Sequence, residues 1–204
     1  MVRGAILAGG GATRFGGRPK GLERIGGERI LDRLVATLTA ALGSAPLLIA
    51  NAPDAGEWSP GLTLVPDVIP GIGALGGLLT AVEQAPAPVV VVAWDMPFVP
   101  APLLRRLADG LAGADACLPA SPGPRGLEPM CAAYGPASAP AIRAAIAAGR
   151  REAVAFHSAL KIGILTSAEV RAYGDPAFMF FNVNSSDDLA EAERLWQKHG
   201  SSGS

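Results

Sequence analysis

Three short runs of unbroken hydrophobicity constrain this chain more than any other feature. Ala5-Ile6-Leu7-Ala8, Leu47-Leu48-Ile49-Ala50 and Val89-Val90-Val91-Val92-Ala93-Trp94 each stop where Gly, Asn or Asp begins. Continuous rather than alternating hydrophobicity marks strands buried on both faces, as in a parallel sheet covered by helices. Helical patterns lie between the runs. Ile30, Leu31, Leu34, Val35, Leu38 and Leu42 recur at steps of three and four, giving one apolar stripe over about 28–43 with Gly43 as its stop. Further helices are expected over about 75–85 and 101–112, the latter opened by Pro100 and Pro102. Strand and helix alternating in this order predict an α/β fold, a Rossmann-like three-layer sandwich with a mostly parallel central sheet.

The second half is less regular. Ala116-Cys117-Leu118, 130–134 and 162–165 read as strands, and 138–148, 151–159 and 187–198 as helices. Ser185, followed three positions later by Asp188, approximates a capping box before the last helix. No linker-like tract divides the chain, so residues 1–200 are expected to form one domain, with 201–204 a frayed, disordered tail.

Composition excludes several classes. The 204 residues balance 17 Lys and Arg against 18 Asp and Glu, with no clustered basic face of the kind that phosphate-driven nucleic-acid binding needs. Half of the residues are hydrophobic and 17% charged, which rules out disorder. The longest apolar run falls far short of the ~20 residues of a membrane helix, and Met1-Val2-Arg3-Gly4 leads into a strand without a signal-peptide core. The expectation is a cytoplasmic protein with no membrane partner. Cys117 and Cys131 sit in apolar segments and read as buried free thiols. With His157 and His199 as the only histidines, the inventory is too scattered for zinc.

In open α/β sheets, ligands bind beyond the carboxyl ends of the strands, so the residues after each run are the first candidates. Leu7 to Lys20 reads LAGGGATRFGGRPK. Its glycines let backbone amides wrap an anion, and Arg14, Arg18 and Lys20 add positive charge, pointing to a polyphosphate. Two familiar phosphate loops fail on spelling. The dinucleotide fingerprint finds Arg14 or Thr13 where it needs glycine, and a Walker A loop finds Gly17-Arg18 after Gly16 where it needs Lys-Ser/Thr. Asp95, just after the valine strand, is placed to hold Mg²⁺, which takes one or two carboxylates plus phosphate oxygens; a capping or turn role is the alternative. Asn51 and Asp67 occupy similar strand-end places, and Asn offers donors and an acceptor suited to a base or ribose.

Taken in order, these motifs resemble the molybdenum cofactor guanylyltransferases, within the wider class of sugar-nucleotide-like nucleotidyltransferases. Leu7-Ala8-Gly9-Gly10 through Arg14-Phe15-Gly16-Gly17 to Lys20-Gly21-Leu22 is similar to the family's opening loop. Asn51, Asp67 before Pro70-Gly71-Ile72-Gly73-Ala74-Leu75-Gly76-Gly77, Trp94-Asp95-Met96-Pro97 and Phe181-Asn182-Val183-Asn184 follow in the family's order from residue 5 to about 195. The resemblance implies transfer of GMP from GTP to the phosphate of molybdopterin, with or without its molybdenum, and release of pyrophosphate. It implies that Leu7, Ala8 and Gly9 contact the guanosine, Lys20 and Asn51 bind GTP, Asp67 contacts the nucleotide, Asp95 holds Mg²⁺ and Arg14 faces the phosphates. Arg14, Lys20 and Asp95 are then the catalytic set, and no nucleophilic side chain is required. The nucleotide site falls in the N-terminal half and the pterin site in the C-terminal half.

Asn182, Asn184, Arg150 and Arg151 are the candidates for the pterin; an Asx turn for the asparagines and a solvated helix end for the arginines are the alternatives. Glu128-Pro129-Met130 stands where the family tends to carry a His-Pro-Thr-like turn. Ala74, where the family more often has Pro, and Trp94, where it often has Cys, read as packing changes. Transfer from another protein of cofactor biosynthesis is expected for so labile a substrate. Competing readings are a CTP-dependent relative, a nucleotide-binding partner without transfer activity and, more distantly, a Rossmann oxidoreductase. The CTP enzymes more often read Leu-Ala-Ala-Gly in the first loop, where this chain has Leu7-Ala8-Gly9-Gly10.

Overall fold

The computed structural model describes residues 1–9, 19–85, 87–123 and 125–199. Most of the glycine-rich loop, Arg14 included, and the tail at 201–204 lie outside the described residues. Each apolar run forms a buried strand: β1 (Arg3–Leu7), β4 (Leu47–Ile49) and β6 (Val89–Ala93). β1 is paired in parallel with β4 on one side and with β6 on the other, with Leu7 level with both Ile49 and Ala93. β5 (Thr63–Val65) extends the parallel set beyond β4. On the far side of β6 lie β8 (Cys131–Tyr134), β7 (Ala116–Pro119) and β9 (Ile162–Leu165), giving the order β5-β4-β1-β6-β8-β7-β9. Only β8 runs antiparallel to its neighbours in this sheet. A small hairpin of β2 (Arg24–Ile25) and β3 (Glu28–Arg29) stands apart.

Alternate residues of the buried strands feed two cores. Ile6, Leu48, Val90 and Val92 pack with α1 (Ile30–Leu42) and α4 (Ala101–Asp109), while Ala5, Leu7, Ile49 and Val91 pack with α3 (Ala74–Gln84) and α5 (Ser138–Ala147). The result is the expected three-layer sandwich. The α1 stripe ends where expected, with Gly43 at φ 75° and its N–H bonded to Thr39 O at 2.8 Å. The last helix, Ser186–His199, begins at the expected reciprocal pair: Asp188 N–H donates to Ser185 Oγ at 3.2 Å, and Ser185 Oγ–H to Asp188 Oδ2 at 2.9 Å.

Two helix expectations need correction. α4 stops at Asp109 rather than 112: the chain passes into three-residue closures, Leu111 N to Ala108 O and Ala112 N to Asp109 O, with Gly110 packed tightly on Cys117. Residues 151–159 form no α-helix; only His157–Ala159 makes a 3-10 turn. The chain instead makes successive three-residue closures, Ala155 N to Glu152 O, His157 N to Val154 O and Ala159 N to Phe156 O, and these drop Phe156 onto Tyr134 at 5.9 Å between ring centroids. Three short helices carried too little periodicity to be foreseen: α2 (Ala55–Trp58), α6 (Ser167–Arg171) and α7 (Pro176–Met179). In chain order the last helix is α8. Cys117 and Cys131 are buried and unpaired, and burial raises both thiol pKa values. Among the described residues, no helix is long and apolar enough to cross a membrane.

Candidate active site

Because β1, β4, β5 and β6 are parallel, their carboxyl ends open on one edge of the sheet, and a cavity of about 670 Å³ lies there. The ladder continues one step past the strands: Ala8 N–H donates to Ile49 O at 2.8 Å, Ala50 N–H to Val65 O at 3.1 Å and Trp94 N–H to Leu7 O at 3.2 Å. Gly9, Asn51, Asp67 and Asp95 are thereby delivered to the cavity wall, together with Leu7. Asn51 and Asp67 form a closed pair. The Asn51 amide donates to Asp67 Oδ2 at 2.7 Å, and its carbonyl oxygen accepts from the Asp67 N–H at 2.8 Å. This fixes both side chains and, among the described residues, leaves one N–H of Asn51 without a partner and available to a ligand.

The N-terminus of α3 closes the same side of the cavity. Gly73, at φ 74° and ψ −147°, holds a conformation that essentially only glycine adopts, and it turns the chain into the helix. Gly73, Ala74 and Gly77 line the cavity, with Gly77 facing Asp67.

Three distant segments meet at Asp95. Lys20 Nζ donates to Asp95 Oδ2 at 2.6 Å and to Asn184 Oδ1 at 3.0 Å. The Val183 N–H donates to Asp95 O at 2.9 Å, so the Asn182-Val183-Asn184 segment is tied to the aspartate by its backbone. Both side chains of the ion pair are largely buried, 15% exposed for Lys20 and 16% for Asp95. Asp95 Oδ1 is buried with no hydrogen-bond partner among the described residues. A bare, buried, hard oxygen on the cavity wall is a donor suited to Mg²⁺.

Lys20 is set by packing as well as charge. It opens the 3-10 turn Lys20–Leu22, whose Gly21 is buried flat against the Trp94 indole. Trp94 stacks on Trp58 at 5.3 Å between ring centroids, and the Trp58 indole N–H donates to Asp54 Oδ2 at 3.0 Å. Trp94 thus packs between Trp58 and the turn that carries Lys20.

Beyond Asp95, on the β8 side, the wall carries Arg125, Glu128, Met130 and Asn182. Burial pushes the Glu128 carboxyl pKa up; the Met130 N–H, donating to Oε1 at 3.3 Å, works against this, Asp95 adds to it and Arg125 opposes it. Arg125 was missed by the sequence reading, since a lone cation in a Pro- and Gly-rich loop has no pattern to mark it. Of the pterin candidates, Asn182 lines the cavity while its amide donates to Phe180 O at 2.9 Å, and Asn184 holds Lys20. Arg150 and Arg151 are exposed just after α5 and do not line the cavity among the described residues.

Residues 4–161 match the family model of the MobA-like NTP transferase domain. A protein of Chloroflexus aggregans described as a probable molybdenum cofactor guanylyltransferase is 37% identical, over 93% of this chain and 92% of its own length. The molybdenum cofactor guanylyltransferase of Nitrobacter hamburgensis is 34% identical over 95% and 94%. Among solved structures, the molybdopterin-guanine dinucleotide biosynthesis protein A of Archaeoglobus fulgidus superposes with a TM-score of 0.81 at 25% identity, covering 97% of this chain and all of that one.

Proposed function

This chain belongs to the MobA-like NTP transferase family, and from that premise we propose that it transfers GMP from GTP to the phosphate of molybdopterin, releasing pyrophosphate. The observation that carries the reading is that Lys20, itself bonded to Asn184, pairs with Asp95, which lines the cavity together with Leu7, Gly9, Asn51 and Asp67. A phosphate oxygen of the acceptor forms a bond to the α-phosphorus, and the bond from that phosphorus to the bridging oxygen breaks, leaving its electron pair on pyrophosphate. The acceptor phosphate is already an anion near neutrality, so no side chain has to remove a proton.

The protein's part is placement and charge. Leu7, Ala8 and Gly9 take the nucleoside, with Asn51 and Asp67 as a pre-oriented polar pair beside it. Lys20, held over Asp95, meets the negative charge of the α-phosphate and the departing pyrophosphate, and Arg14 faces the phosphates from the glycine-rich loop. Asp95 Oδ1, with Asp95 already oriented by Lys20, fits Mg²⁺, which would add positive charge at the phosphate oxygens when bound. Asn182 and Asn184 face the acceptor; Arg150 and Arg151, exposed and outside the cavity lining, remain candidates for it from the sequence alone. The described cavity and sheet support a single catalytic unit over residues 1–200.

Calorimetric titration with GTP, CTP and ATP, with and without Mg²⁺, tests the reading. At least tenfold tighter binding of GTP, about 1.4 kcal/mol, is expected, followed by formation of the guanine dinucleotide in a turnover assay. Preference for CTP would transfer the mechanism to a cytidine product; binding without turnover would make the chain a nucleotide-binding partner.

A further inference from the structure

The sheet order divides the cavity. Asn51, Asp67 and Leu7 arrive on β4, β5 and β1, Asp95 follows β6, and Glu128 and Met130 precede β8, which pairs with β6 on its other side. The Ala93 N–H donates to Met130 O at 2.8 Å, fixing that second wall directly beside the strand that carries Asp95. A donor nucleotide on the β1-β4 side therefore leaves the β8 wall to the acceptor.

Glu128 is out of place on a wall built for anions. Both substrates carry phosphate, and a half-buried carboxylate repels them and loses its own hydration. Asp95 has Lys20 as a direct partner, whereas Glu128, among the described residues, accepts only the Met130 N–H and has Arg125 within electrostatic reach. An ionised carboxylate is purely an acceptor. A ligand that presents N–H donors would compensate it. The acceptor's pterin has such an edge, a 2-amino group next to a ring N–H, spaced to meet the two oxygens of one carboxylate. Guanine has the same edge but belongs on the opposite side of Asp95.

We infer that Glu128 is a specificity residue that accepts hydrogen bonds from the 2-amino and ring N–H edge of the pterin, with Met130 offering apolar surface beside it. The inference rests on the guanylyltransferase reading for the identity of the acceptor. It assigns to Glu128 the selection of an amino-substituted heterocycle over its oxo counterpart.

The test uses the full chain and two fluorescent probes: a pterin carrying a 6-methylene phosphate, and the matching lumazine, in which oxygen replaces the 2-amino group. The variant is Glu128→Gln, which keeps a carbonyl oxygen for the Met130 N–H but turns an NH₂ toward the ligand's donors. Wild type should bind the pterin at least tenfold more tightly than the lumazine; Glu128→Gln should lose that discrimination while its GTP affinity stays within twofold. Equal binding of the two probes by wild type, or discrimination that survives in Glu128→Gln, would overturn the inference. Weakened GTP binding with the pterin unaffected would assign Glu128 to the nucleotide, and a raised Mg²⁺ requirement with the pterin unaffected would assign it to the metal; both overturn the inference. If wild type discriminates the probes but binds no GTP, the functional reading fails and the Glu128 assignment stands.

Discussion

Gly21→Ala should damage the active site from outside the cavity. An alanine Cβ at position 21 would lie 3.1 Å from Trp94 Cζ3 and 3.2 Å from Cδ2, and closer still to Cε3. Carbon atoms rest about 3.5–4.0 Å apart, so the two groups must separate by about 1 Å. Trp94 cannot easily give way, being buried at 3% exposure and stacked on a Trp58 that is itself hydrogen-bonded to Asp54. The turn that carries Lys20 must move instead. A shift of that size takes the 2.6 Å and 3.0 Å bonds from Lys20 to about 3.6 and 4.0 Å, beyond hydrogen-bonding distance. Overpacking of this kind costs about 1–3 kcal/mol of stability, and misplacing a catalytic group by about 1 Å costs up to about a hundredfold in rate. The assay is GTP affinity by calorimetry and turnover, with urea unfolding alongside. Opening the other side of the contact by Trp94→Leu in the Gly21→Ala background should restore part of the lost GTP affinity even though that change alone destabilises the fold. Gly21→Ala within twofold of wild type in affinity and turnover, or a double variant no better than Gly21→Ala alone, would refute the steric argument.

Replacing Lys20 by alanine removes charged hydrogen bonds worth about 1.5–3 kcal/mol, so turnover should fall about tenfold to a few hundredfold; Asp95→Asn should lose more, and near-normal activity of either at saturating Mg²⁺ would remove that residue from the mechanism. Cys117 and Cys131, 1% and 0% exposed with raised thiol pKa values, should not react with a thiol reagent in the native protein and should both react in denaturant; a fast native thiol would contradict their burial. Glu169 has its carboxyl pKa held below the ordinary 4.5 by the Thr166 N–H and hydroxyl, with Arg106 assisting. Its stabilising contribution is therefore complete above pH 4.5 and lost as pH falls through the depressed value, so the gap in urea midpoint between wild type and Glu169→Gln should close on acidification; a gap independent of pH would show that the charge is not what Glu169 contributes.

The parts of the fold legible in the sequence are those where a single physical demand dominates. Burial on both faces wrote unbroken valine and leucine runs into β1, β4 and β6, and one-sided burial wrote the stripe of α1. The direction of β8 was not legible, because Cys131-Ala132-Ala133-Tyr134 is apolar whichever way the strand runs. Residues 151–159 read as helix because Ala153, Ala155 and Ala159 favour it, yet burying Phe156 beside Tyr134 demanded a tighter path. That Asn51, Asp67 and Asp95 would line one cavity was legible from topology alone, since each follows a parallel strand. The Lys20 contact with Asn184 was not, since it joins residues 164 positions apart and depends on the Val183 N–H reaching Asp95 O. Glu128 was visible only as a departure from a familiar turn; its meaning comes from the wall on which it stands.

Among the described residues, Arg3 Nε, Arg33 Nε, Trp94 Nε1, Asp95 Oδ1 and His157 Nε2 are buried without a hydrogen-bond partner, and Asp95 is the one carboxylate of the set. Arg33 Nε is also buried without a partner, but that guanidinium donates through Nη2 to Ile25 O at 3.0 Å and lies 3.9 Å from the Trp196 ring centroid, so its charge is accommodated. Asp95 Oδ1 has no such compensation within the described residues. Lys20 neutralises only the other oxygen, and Glu128 adds a second negative charge on the neighbouring wall. A sequence selected only for stability would replace Glu128 with a neutral residue and give Oδ1 a donor. Keeping two under-compensated carboxylates in one cavity, on the two sides of the transfer point, is explained if each is completed by a ligand: Asp95 by a cation beside the triphosphate, and Glu128 by the donor edge of the acceptor.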